Sequence, residues 1–225
     1  MRRQPSSQDL EIRDLIVLVA DHDCRFTVQA LLRRHAALGI RGVSFVVESH
    51  PEKDPGCFRR CDDFLRARQR HFAHSLVMFD REGCGQDRLL PEDLERDVVS
   101  RLDQSGWSGR CGAVALEPEL ESWVWSASPN VDRALGWHDR SPDLRTWLRN
   151  QGYLAQANTK PGRPKEALEA ALRHVRTPWS SAIHARLAET FGLRQCTDQA
   201  ILRFRQTLRA WFPASSSAPG PPLDS

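Results

Sequence analysis

The sequence predicts an α/β fold: a small parallel sheet with helices on both faces, followed by a helical C-terminal part. Three observations predict it. Four short, almost continuously apolar runs recur at 15–19, 43–47, 75–79 and 111–116, as strands buried on both faces should. Helical spacing fills the gaps between them, which gives β-α-β-α-β-α-β with short links and therefore parallel strands. After Glu121 no further strand pattern occurs.

In chain order, residues 1–13 are polar and read as a flexible N-terminus. LIVLV at 15–19 is the first strand, and Phe26, Val28, Leu31 and Leu32 then suit a helix that ends before Gly39. GVSFVVES carries the second strand, and 57–72 has helical spacing at Phe58, Cys61, Phe64 and Leu65. SLVMF is the third strand; Leu94, Val98, Val99 and Leu102 then form an apolar stripe, with Pro91 in the first helical turn. CGAVAL is the fourth strand. Four helices follow over 143–151, 164–175, 180–191 and 197–212, with Pro164 at a first turn and Thr197-Asp198 as a cap. The Ser/Pro/Gly-rich end, 213–225, reads as a disordered tail. The divisions are then 14–128 for the α/β domain and 129–212 for the helical region.

Composition narrows the class. The chain has 225 residues, 40% hydrophobic and 27% charged, which suits a globular protein with a sizeable core. No apolar run approaches the ~20 residues of a membrane span, and the N-terminus lacks the apolar stretch of a secretory signal. These features predict a cytoplasmic chain with reduced thiols and no membrane partner. Cys57 and Cys61, with His50 and His71 nearby, offer zinc ligands; the alternative is two small residues on a helix. No P-loop or nucleophile-elbow motif occurs, so any ATP chemistry would come from a partner.

Charge is uneven. Residues 160–211 hold ten Lys/Arg against four Asp/Glu, and only three of the chain's cations are lysine. A basic C-terminal face suits nucleic-acid phosphate or an acidic partner; a bias toward arginine is the other reading.

The strand ends are acidic. Asp21 and Asp23 follow the first, Asp80 and Glu82 the third, and Glu117, Glu119 and Glu121 the fourth. Parallel strands deliver these groups to one edge, where open sheets bind ligands. Crowded carboxylates repel unless a positive charge sits among them. A hard divalent cation, Mg²⁺ or Mn²⁺, supplies one. The D-x-E spacing lets Asp80 and Glu82 share an ion, and Gly83 and Gly85 let the backbone turn away and a phosphate approach. Asp80 as a simple cap, an Arg81–Glu82 pair, and first-turn acids at Glu119 and Glu121 are the plainer readings.

LIVLVADHDCRFTVQALLRR, LVMFDREG and ALEPELESWVW together resemble a TOPRIM-type domain, in which a Glu after the first strand and a D-x-D after the third bind Mg²⁺. With RPKEALEAAL, SAIHARLAETFGL and LRFRQTLRAWF, residues 14–212 are similar to small bacterial TOPRIM-like proteins related to OLD-family nucleases of defence islands. The resemblance implies metal at Asp21, Asp80 and Glu82, with Glu119 or Glu121 as a further ligand or base. Arg163, Lys165 and His184 would contact the nucleic-acid backbone. Two departures stand out: Ala20-Asp21 replaces the usual Glu-Gly, and Glu82 replaces the second Asp. Two functions follow. One is a Mg²⁺-dependent nuclease-like component of an antiphage defence system. The other is a non-catalytic scaffold or accessory subunit of a multi-protein defence complex.

Overall fold

The computed structural model describes residues 12–125, 129–193 and 196–214. Four strands, β1 (Arg13–Val19), β2 (Phe45–Ser49), β3 (Phe72–Asp80) and β4 (Cys111–Leu116), form one all-parallel sheet in the order β2-β1-β3-β4. Among the described residues the α-helices are α1 (His22–Arg33), α2 (His35–Leu38), α3 (Lys53–Arg66), α4 (Pro91–Leu102), α5 (Pro129–Ala134), α6 (Leu144–Asn150), α7 (Pro164–His174), α8 (Ser181–Thr190) and α9 (Gln199–Trp211), with a π-helical turn at Asp103–Trp107 and a 3-10 turn at Leu120–Trp123.

Strand alternation sends Ile16, Leu18, Val77, Phe79, Ala113 and Ala115 to one face, under Cys57, Phe58, Cys61 and Leu65 of α3 and Leu94, Val98 and Leu102 of α4. Leu15, Val17, Val19, Leu76, Met78, Val114 and Leu116 face the other way. There α1 packs against α8, and α5 through α9 share the same buried cluster. The sheet thus has helices on both faces. The helical C-terminal part forms one of those layers, so the core does not divide at 128/129.

Several boundaries differ from expectation. The β1–β2 register begins at Leu15↔Phe45 and runs to Val19↔Ser49, so the second strand lies two residues later than the apolar run. As an edge strand it accommodates the polar Glu48, which pairs with Arg68 at 3.0 Å. The helix expected at 57–72 begins four residues earlier, because Pro55 is tolerated within its first turn, and Phe72 belongs to β3. The first helix breaks at Arg34 (φ −89°, ψ 43°), whose guanidinium reaches back to the Ala188 carbonyl at the end of α8. Arg13, expected in the flexible N-terminus, opens β1, and Pro213, expected in the tail, bridges Ile40; residues 1–11 and 215–225 lie outside the described residues.

Cys57 and Cys61 lie in the core beneath the sheet. Burial pushes the Cys61 thiol up to about 12 and Cys57 higher still. His50 accepts from the Glu52 amide and packs on Phe64, while His71 is exposed. The pair therefore serves as packing.

Candidate functional site

The strand order places a switch point between β1 and β3: the chain leaves β1 toward β2 on one side and enters β3 on the other. Crevices at such points bind ligands in open parallel sheets. The register pairs Val19 with Met78, and Asp21 and Asp80 each lie two residues further on. The two carboxylates expected from the sequence therefore flank this crevice.

Asp80 is the last residue of β3 rather than a loop residue. Burial raises its carboxyl well above the usual value, and the charges of Asp54, Glu121, Glu119 and Asp21 raise it further. No side-chain hydrogen bond reaches that carboxyl from the described residues. Asp54 is the group the sequence reading missed. It lies in the first turn of α3 and accepts the Asp80 amide at 2.8 Å. Burial raises its carboxyl too, the Asp80 amide opposes this, and Asp21 adds to it. The only signal for Asp54 in the sequence is its position shortly after the second strand.

Three of the other expected acids have structural partners. Asp21 caps α1 by accepting the Cys24 amide at 2.9 Å. Glu119 accepts the Lys165 amide at 2.8 Å, at the start of α7. Burial raises Glu119, its bond to Lys165 opposes that, and Glu121 adds to it. Glu121 is only 3% exposed and lies 3.2 Å from His184 Nε2. Glu82 is exposed on the rim, where its charge bears on Glu119. It lines a cleft of about 390 Å³ with Glu119, Arg163, Lys165 and Glu166. Asp80 and Glu82 are thus separated by depth, and Asp54 takes the inner place given to Glu82. Gly83 and Gly85 take φ of +106° and +83° in the turn behind Asp80, which other residues rarely adopt. Arg81 pairs with Glu117 at 3.1 Å and not with Glu82.

The three expected substrate contacts also separate. Lys165 is exposed at the rim; burial lowers its ammonium, but Glu121, Glu119, Asp21 and Asp80 together raise it. Arg163 pairs with Glu166 at 3.2 Å on the same rim. His184 is fully buried and cannot touch a substrate. Its Nδ1 faces the Ser180 carbonyl at 3.3 Å and its Nε2 faces Glu121, so both nitrogens meet acceptors. Burial alone would lower His184; the Glu121 bond and the Asp23 charge outweigh it and raise the net value. Asp23 accepts Trp179 Nε1 at 2.9 Å and Ser181 Oγ at 2.5 Å. Burial raises Asp23, but these bonds and His184 bring it below its ordinary value.

Lys53 (φ 52°) and Arg176 (φ 59°) are the non-glycine residues of positive φ among the described residues. One immediately precedes Asp54 and the other lies three residues before Trp179. Backbone strain of this kind gathers at functional sites and costs about 1–3 kcal/mol per residue.

The donor set is all oxygen, which suits a hard cation. Among the described residues no three Asp, Glu, His or Cys side chains gather into a metal cluster. Mg²⁺ needs only one or two carboxylates, with water completing its octahedron, and the unbonded Asp80 beside Asp54 meets that requirement. The fold and the crevice define an α/β protein with a half-buried acidic pair at the switch point of its sheet. No protein-family model, curated protein or solved structure matches the chain. No described helix is long and apolar enough to cross a membrane.

Proposed function

We propose that this chain is a TOPRIM-like protein that binds Mg²⁺ or Mn²⁺ through Asp80 and Asp54, with Asp21 at the mouth, and acts on a nucleic-acid phosphodiester. The single observation that carries the reading is Asp80: a carboxylate at the switch point that accepts no hydrogen bond from the described residues and lies near the like charges of Asp54, Glu121, Glu119 and Asp21, with Lys165 the cation at the rim. Such a group is costly unless a cation joins it. When bound, the ion polarises a phosphate and activates water. Asp80 and Asp54 hold it, Lys165 at the rim offers positive charge to the phosphate, and His184 fixes Glu121 beside the crevice. The setting in a bacterial antiphage system, with protein partners, rests on the resemblance of the quoted segments to OLD-related proteins.

The second reading, a non-catalytic scaffold in a defence complex, has a specific observation in its favour. Asp21 and Glu119 are engaged as caps and Glu121 by His184, and Ala20-Asp21 stands where an enzyme of this type carries Glu-Gly.

Thermal melting with and without metal separates them. Mn²⁺ at a hundredfold excess over Kd should stabilise the wild type by about 2.7 kcal/mol. Asp80→Asn should lose that response and, without metal, melt above the wild type because a repelling charge is gone. A wild type indifferent to metal, or a variant that responds as the wild type does, removes the metal site and leaves the scaffold.

A further inference from the structure

Beside the acidic crevice lies a second pocket of about 290 Å³, lined by Glu169, Leu172, Arg173, Thr177, Pro178 and Trp179. Its size is at the small end of ligand pockets, which run to about 300–1,000 Å³, so it suits one planar ring and not a whole cofactor. Buried Leu172 contributes apolar lining, while Pro178 is exposed and Trp179 half-buried.

Three contacts fix Trp179 relative to the crevice. Its indole N–H donates to Asp23, two residues from Asp21; its ring meets the His184 ring edge-on at 4.7 Å; and the Lys165 ammonium lies 5.8 Å from its centroid. The backbone supports the same placement. At the end of α7 the Thr177 amide bonds to the Leu172 carbonyl and the Arg176 amide to that of Arg173, which is a Schellman cap. The left-handed position, usually glycine, is Arg176. The chain accepts this strain and then projects Pro178-Trp179 beside the crevice. Lys165 supplies positive charge over the ring, and Arg173 and Glu169 line the same pocket.

Resting on the phosphodiester reading above, the geometry points to a nucleobase subsite: an unpaired base of single-stranded nucleic acid stacks on Trp179 while its phosphate lies between Lys165 and the acidic crevice. Every base has a π-face, so the subsite reads unpairing and not sequence. A duplex, whose bases are stacked inside, does not fill it.

Fluorescence anisotropy on the full chain tests this, with a labelled thymidine oligonucleotide, an abasic oligonucleotide of the same length and a duplex, in Ca²⁺ at low salt. The wild type should bind the thymidine strand roughly tenfold tighter than the abasic strand, in line with one base stacked on an aromatic ring. Trp179→Leu should erase that preference. Trp179→Phe should keep it, because Phe retains the ring and loses only the N–H to Asp23. Glu169→Trp, which fills the pocket from its rim, should also erase it. Equal binding of the thymidine and abasic strands by the wild type overturns the subsite even if Trp179→Leu does not fold, and so does a preference that survives in a folded Trp179→Leu or a wild type that prefers the duplex. Failure to bind either strand overturns the subsite and the nucleic-acid reading together. The Mn²⁺ melting response of the same sample then shows whether the cation site stands without them.

Discussion

His184 shows how much one buried side chain can hold. It is fully buried, lies between a carbonyl and the Glu121 carboxylate, and has Asp23 at 3.9 Å. A neutral imidazole would set one lone pair against an acceptor, so the setting favours the protonated ring. Its folded value lies above the ordinary ~6.5. Its contribution to stability is therefore complete below that ordinary value and is lost as pH rises through the folded value. Asp80, Asp54 and Glu119 also lie above their ordinary values, so each favours folding more at low pH and costs stability once ionised. The comparison with a variant isolates the histidine. His184→Gln should flatten the fall of stability above about pH 6.5, read from urea midpoints across pH. A wild-type slope that persists in the variant would show that His184 is not the titrating group. His184→Ala, which strands Glu121 in the interior, should cost about 3–5 kcal/mol.

Among the elements, β4 carries a risk that the fold addresses directly. It is an edge strand with outward-facing backbone groups, the kind that recruit another chain. Glu95 of α4 accepts the Ala115 amide at 2.9 Å, and Arg203 of α9 donates to the Ala115 carbonyl at 3.1 Å. The two side chains also pair with each other at 2.8 Å, so together they occupy the place of a neighbouring strand. Arg203→Ala leaves Glu95 part-buried without its partner and opens the edge. It should cost about 2–3 kcal/mol in chemical denaturation and speed aggregation, seen by light scattering. An unchanged midpoint would mean that the pair is ornamental. The same pattern accounts for much of the chain's arginine. Arg34 and Arg209 donate to the carbonyls of Ala188 and Leu38 near helix ends, and Arg110 donates to the carbonyls of Gln69, just after α3, and Phe72, at the start of β3. A planar fork of five donors does this where an ammonium would not. Part of the positive charge of 160–211 is likewise engaged, since Lys160, Arg163 and Arg203 pair with acids. That leaves the basic face smaller than its composition suggests.

The molecule as a whole has a core that runs from Leu15 and Val17 through α1 and α8 to Phe204 and Phe212. The last helix therefore stabilises the first strand. Unfolding should be a single transition with coincident tryptophan-fluorescence and far-UV midpoints. A fragment ending at 128 should fail to fold, because it exposes Val17, Val19, Met78 and α1 to water. Two separated transitions, or a folded fragment, would show two independent units.

The four strands, their parallel direction and most helices were legible along the chain because period and turn chemistry are local properties. Asp198 caps α9 and Asp143 caps α6 as short-range pattern suggests. The roles of the acids were not legible, because they depend on partners far away in the chain. Asp54 meets the Asp80 amide across 26 residues, Glu119 meets Lys165 across 46, and Glu121 meets His184 across 63. Seven carboxylates at one edge look equivalent in the sequence. Folding makes them unequal, since burial and hydrogen-bond donors act through space: Asp21 and Glu119 become caps, Asp23 accepts Trp179 and Ser181, Glu117 pairs with Arg81, and Glu121 joins a buried histidine. Among the described residues, Asp80 in the crevice and Glu82 on the rim are left with no donor.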